Sequence, residues 1–373
     1  MQDDADLFDV SIVDSTETYI TASPNTSTVA EIQVSKREGV TYDDLEADSS
    51  GNLLKKFNIE AKIEKPYDAD AVLAATDLSY VIGQSPKQEI INNAGTITES
   101  QEGTAYSGVA SSSEKGLYSI EVNGETKHYY RGNVTDNYVS FAGQTWRILS
   151  INPDGSLKII LDGSIGACKY QSANEPTTHS VDGAIEYMAW ENSTVYSTLH
   201  TWYDSNIAPN YSQYIIPTKF LFDTSYSNKT ASSTNGSVYY FGSYLRVGPD
   251  GGSYTPTFSQ DANYEITDNI GLINADEVLF AGGFWNGNNT SYFLYNSSIT
   301  EEASWTMSPS FYDDGAHNKI GMCIINNSTG KLYDWPNSGN TLTDSLSVRP
   351  VITISGNYEM TGDGTSSNPY TYK

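Results

Sequence analysis

The segment Asn152-Pro153-Asp154-Gly155 constrains this chain more than any other feature. It lies between two runs rich in large apolar residues, Gln144-Thr145-Trp146-Arg147-Ile148-Leu149-Ser150-Ile151 and Ser156-Leu157-Lys158-Ile159-Ile160-Leu161. Proline presets φ at a turn position, aspartate bonds to its own backbone, and glycine takes positive φ without strain. The pattern therefore predicts a β-hairpin. A hairpin is marginal alone, so it implies further strands and a packed face. Composition points the same way. The 28 tyrosines, with abundant threonine, favour strands, and the 30 glycines, with many Asn and Asp, favour turns. The expected fold is mainly β with minor α, an α+β protein.

The remaining elements follow from periodicity. Alternation predicts strands at 7–13, 28–34 and 57–63, with a helical turn or two within 70–78. Strand-like runs return at Lys127 to Arg131 and Tyr138 to Phe141, and near the end at Lys319 to Ile325 and Ser347 to Ile354. Val195, Leu199, Trp202, Tyr203 and Ile207 recur at helical spacing after Ser193, a natural N-cap. Pro209 is expected to stop that helix. A shorter helix is expected from Asn274 to Ala281, capped by Asn274, with Asp276 and Glu277 in a first turn that favours acids. Residues 94–115 hold almost no large apolar side chain and read as a linker. The predicted division is a small β-sandwich-like domain over 1–95, a linker over 96–115 and a larger α+β domain over 116–373.

Charge excludes some partners. Lysine and arginine number 20 against 46 acids, a formal net charge of −26. Such a chain lacks the basic patch that nucleic acid requires. No apolar run is long enough to cross a membrane as a helix, so no membrane insertion is expected. The opening Met1-Gln2-Asp3-Asp4 reads as a trimmed start from which a signal or anchor has been removed.

Catalytic and metal motifs are sparse. His128, His179, His200 and His317 are scattered, without the spacing of a zinc site, and no metal or cofactor is expected. Cys168 and Cys323 fit either one long-range bridge in a secreted protein or two buried thiols. Asp43 to Asp48 is acidic but departs from a calcium loop. No nucleophile elbow occurs. Glu265, Asp268, Asp276, Glu277, Glu301 and Glu302 are the acids available to a two-carboxylate glycosidase. Arg147 and Arg349 sit inside apolar runs, and with Trp146 they read as structural residues. Each arginine is expected to clamp a carboxylate or backbone carbonyls.

The strongest functional signal is aromatic. Phe284-Trp285-Asn286-Gly287-Asn288-Asn289, Phe311-Tyr312-Asp313-Asp314 and Tyr333-Asp334-Trp335-Pro336-Asn337 mix rings with Asn and Asp. Binding loops use such residues because rings give contact area at low entropic cost. Phe284, Trp285, Asn288, Tyr312, Asp313, Tyr333, Trp335 and Asn337 are the candidate ligand-binding residues. The competing expectation is that the rings plug a core beneath long loops.

A series of motifs also resembles a family. Tyr129-Tyr130-Arg131-Gly132-Asn133-Val134, Asn137 to Gly143, Trp146-Arg147-Ile148, Gly271 to Val278, Trp305-Thr306-Met307-Ser308-Pro309-Ser310, Val348-Arg349-Pro350-Val351-Ile352 and Gly362-Asp363-Gly364-Thr365 follow in order. They resemble surface proteins of gut Firmicutes, some with pilin-like leaders. That likeness implies a C-type-lectin-like fold, in which the strands at 146–148 and 348–351 would pair. The calcium- and sugar-binding triplets of the calcium-dependent lectins are absent. The function implied is a non-enzymatic, secreted or surface-anchored adhesin that recognises an extracellular glycan or a host or bacterial surface protein. Two alternatives are a structural pilus-like subunit and a secreted glycoside hydrolase.

Overall fold

The computed structural model describes residues 8–12, 32–36, 86–172, 178–229, 237–249, 253–259, 262–314, 319–335, 342–358 and 360–372. The chain divides between Gly83 and Gln84 into two compact units. In the first, β1 (Phe8–Ile12) and β2 (Ile32–Lys36) form an antiparallel pair with Val10 opposite Val34. The strand expected at 57–63 and the helical turn within 70–78 lie outside the described residues.

The second unit begins with α1 (Pro86–Ala94), β3 (Thr98–Ser100), β4 (Gly116–Val122), β5 (Glu125–Arg131), β6 (Tyr138–Phe141), β7 (Gln144–Ile151), β8 (Leu157–Leu161) and β9 (Ala167–Cys168). Then come α2 (Val181–Met188), α3 (Thr194–Asn206), α4 (Ala208–Tyr211), β10 (Thr218–Leu221), β11 (Tyr226–Lys229), β12 (Val238–Phe241), α5 (Gly242–Val247), β13 (Glu265–Asp268) and α6 (Ala275–Ala281). The last strands are β14 (Ala303–Asp313), β15 (Lys319–Asn326), β16 (Leu332–Trp335), β17 (Leu346–Ser347), β18 (Val351–Ile354), β19 (Met360–Thr361) and β20 (Tyr370–Tyr372). The architecture is a β-rich α+β fold with several sheets.

The predicted hairpin is the centre of the larger sheet. Gly155 takes φ 85°, and its N–H donates to Asn152 O over 2.9 Å. β7 meets β6 along its first half, β5 at its last two residues and β8 along most of its length. Every residue from Trp146 to Ile151 is buried, so this strand is covered on both faces. β8 in turn pairs with β18, Ile160 opposite Val351. The expected direct pairing of 146–148 with 348–351 is therefore corrected: β8 lies between them, because the tight turn brings it back first.

Residues 96–115 are not a linker. β3 runs parallel to β4, and the Glu102 carboxylate accepts from Phe258 N–H at 2.7 Å and from the Thr257 hydroxyl at 2.8 Å. Ala110 N–H donates to Gly282 O over 2.9 Å. Polar and backbone bonds fasten this stretch where apolar side chains are few. α1 likewise belongs to the second unit, with Ile90 in its core.

α3 forms as expected, and the Ser193 hydroxyl accepts from Tyr196 N–H. Helix α3 stops at Asn206, as expected, but Pro209 opens a further short helix. The proline sits in the first turn of α4, where its missing N–H costs nothing.

The second sheet runs β11-β12-β14-β15-β16, with β17 parallel to β14 and β9 against β17. Wholly buried α6 contacts β5 of one sheet and β14 of the other. Cys168 and Cys323 are both free thiols, and burial raises the pKa of each.

Candidate binding face

The three aromatic segments converge on the second sheet, though the rings of Trp285, Tyr312 and Tyr333 are buried. Leu332 N–H donates to Phe284 O at 3.1 Å, and Asn286 N–H donates to Leu332 O at 2.8 Å. This folds residues 284–287 against the β16 edge and turns Trp285 in. The Trp285 ring is 6 % exposed and meets Tyr244 edge-on at 5.0 Å. Tyr333 is 5 % exposed and Tyr312 is fully buried. The expectation of exposed rings at these positions is corrected, since backbone pairing of their loops carries them into the core. Phe284 is half-buried beneath Tyr254, Asn288 is exposed and Asp313 is half-buried. Trp335 pairs with Met322 through the strand ladder, and Asn337 lies outside the described residues.

The exposed aromatic surface lies one step further out, on residues that the sequence reading missed. Tyr226 is 46 % exposed, the highest value for a large hydrophobic among the described residues. Its ring meets half-buried Tyr239 at 5.7 Å, and Tyr239 stacks on Tyr312 at 6.1 Å with planes 20° apart. β-Pairing sets this row, because Tyr239 lies opposite Tyr312 and Tyr226 opposite Phe241. The row therefore grades from a buried base to an open ring on β11, which has one partner strand among the described residues. Burial raises the Tyr312 hydroxyl pKa, and Asp314, Tyr239 and Asp313 add to the effect. Phe311 lies across Gly321, where a Cβ would come within 2.4 Å of its ring, so glycine permits that close cross-strand contact. The alternation in Val238-Tyr239-Tyr240-Phe241 was the available signal, but it does not tell which ring faces water.

Five of the six acids available for glycosidase chemistry are engaged by other side chains. Asp276 pairs with Arg246 at 2.8 Å, and Asp223 pairs with the same guanidinium at 2.6 Å. Burial alone would lower the Arg246 pKa, but these two carboxylates more than reverse it. Glu277 pairs with Lys158 at 2.5 Å and completes a capping box with Asn274. Glu265 pairs with Lys219 at 2.8 Å, and Asp268 with His200 at 2.9 Å. Glu301 accepts from the Ser347 hydroxyl at 2.7 Å, and Glu302 is exposed. His128 is buried, His179 is exposed and His317 lies outside the described residues. Among the described residues, no three His, Cys, Asp or Glu side chains converge as a metal site.

Arg147 and Arg349 are clamps, and their partners are carbonyls. Arg147 donates to Val134 O at 2.7 Å and to Asn137 Oδ1 at 2.6 Å, with its guanidinium 3.8 Å over the Tyr138 ring. Arg349 donates to Leu294 O at 2.6 Å and to Leu161 O at 3.1 Å. Arg131 donates to Leu279 O at 2.7 Å, at the end of α6 that attracts cations, and also pairs with the Glu114 carboxylate at 3.0 Å. The Trp146 indole N–H donates to Phe141 O at 3.0 Å. The motifs of the family resemblance thus build scaffold around α6 and the hairpin. No protein-family model, curated protein or solved structure matches this chain.

Proposed function

We propose that this chain is a non-enzymatic, secreted or surface-anchored bacterial binding protein that recognises an extracellular glycan or surface protein through its tyrosine row. The observation that carries the reading is Tyr226, open to solvent and backed by Tyr239 and buried Tyr312. A supported ring loses little entropy on binding and offers an apolar face for stacking. Asp313 and Asp314 flank the row, and the chain carries a net charge of −26. That charge opposes sialylated or sulfated ligands and favours neutral ones. The family resemblance and the C-type-lectin-like arrangement belong to the same proposal. Pairing of the last strand β20 with the early strand β6 supports them.

Screening the protein on neutral and anionic glycans, with calcium and with chelator, tests this function. Binding confined to neutral glycans and unaffected by chelator is expected. Cleavage of a bound glycan would replace this reading with the hydrolase. Within the described residues β11 pairs only with β12, which favours one alternative, a structural subunit that adds a strand there. A blank array together with self-association would favour that subunit.

A further inference from the structure

We propose that Lys127 and Asn152 become joined by an intramolecular isopeptide bond, the lysine amine displacing the carboxamide nitrogen as ammonia. Lys127 Nζ is in hydrogen-bond contact with Asn152 Oδ1, so nucleophile and carbonyl already meet. Strand register brings them together: His128, next to the lysine, lies opposite Ile151, next to the asparagine. The amine also lies 5.1 Å from the centre of the Phe258 ring. Burial pushes its pKa down to about 8 and the Lys158 charge adds to the shift, while Glu277 and Asp154 oppose it. A measurable fraction is therefore free base near neutral pH, the form an amine needs to attack.

The carboxamide is held and connected to a proton carrier. Asn152 Nδ2 donates to the Ser156 hydroxyl at 2.9 Å, and that hydroxyl donates to Asp154 Oδ1 at 2.7 Å. In the reaction the neutral Nζ attacks Asn152 Cγ and forms the new C–N bond. The Asp154 carboxylate, whose charge acts on Lys127, takes up the proton that Nζ loses, and the Ser156 hydroxyl between Asp154 and Nδ2 passes a proton on to Nδ2. The Cγ–Nδ2 bond then breaks and ammonia departs. One amine and one primary amide become one secondary amide and ammonia, with no oxidant or reductant. Pro153 removes the usual competitor: asparagine cyclises to a succinimide through the next backbone N–H, and proline has none. The bond would fasten β5 to the turn of the central hairpin, a link that does not depend on what the tyrosine row binds.

The test is the intact mass of the purified full chain, followed by proteolytic mapping. The expected mass lies one ammonia below that of the sequence, with the Lys127 and Asn152 peptides recovered as one linked species. Lys127→Arg and Asn152→Ala should each abolish that species. The wild-type measurement stands even where a variant fails to fold. Gln2 can also lose ammonia by cyclising once Met1 is removed, so the site of the loss decides. Loss confined to the amino-terminal peptide, or separate peptides with an intact Lys127 amine and Asn152 carboxamide, would overturn the proposal.

Discussion

At the scale of single residues, burial decides more than identity does. His128 is 6 % exposed, and its Nδ1 has no hydrogen-bond partner. Burial, with Lys87 nearby, lowers its pKa from 6.5 to about 4. Between those values the unfolded chain takes up a proton that the folded chain refuses. Stability therefore falls as pH drops from 6.5 to 4 and gains nothing from this residue above 6.5, a swing of about 3 kcal/mol at most. Denaturant titrations across that range should show the loss, and His128→Gln should flatten it. An unchanged slope in the variant would assign the effect elsewhere. The same burial explains what was legible. An arginine inside an apolar run must be paired, so the clamps of Arg147 and Arg349 could be read from the sequence. Whether Trp285 or Tyr226 faces water could not, because a tyrosine- and asparagine-rich segment looks alike over a core and on a rim.

At the scale of elements, α6 shows how a polar sequence is buried. Its first turn carries Asp276 and Glu277, and both are out of solvent. The sequence predicted the cap and the acids, since both obey the local rules of a helix start. It did not predict their partners, because Arg246 and Lys158 lie far along the chain. Met307 N–H donates to Ile273 O at 2.9 Å, and Ala275 N–H donates to the Ser308 hydroxyl at 2.9 Å. Two of the resembling motifs thus fold together. Arg246→Met would leave Asp223 and Asp276 buried without their cation, at a cost of about 3–5 kcal/mol in chemical denaturation. Asn274→Ala removes one half of the capping box and should cost about 1 kcal/mol. A cost for Arg246→Met no larger than that of the cap would mean the triad carries little.

At the scale of the molecule, the boundary fell earlier than composition suggested. Residues 96–115 look like a linker because they lack large apolar side chains, yet Glu102 and Ala110 tie them down by hydrogen bonds. The main core draws its described side chains from Ile90 to Tyr370. The fragment Gln84–Lys373 should therefore fold alone and keep the midpoint of the main thermal transition. A lowered midpoint would show that it depends on the first unit.

The tyrosine row is the proposed binding face. Calorimetric titration of the best neutral glycan from the array into wild type, Tyr226→Ala and Tyr358→Ala tests it most directly. Half-buried Tyr358 serves as the control, its hydroxyl donating to Gln213 O. Tyr226→Ala should weaken binding about tenfold without lowering the melting temperature, and Tyr358→Ala should bind as wild type does. Full affinity in Tyr226→Ala, with loss in Tyr358→Ala, would contradict the account.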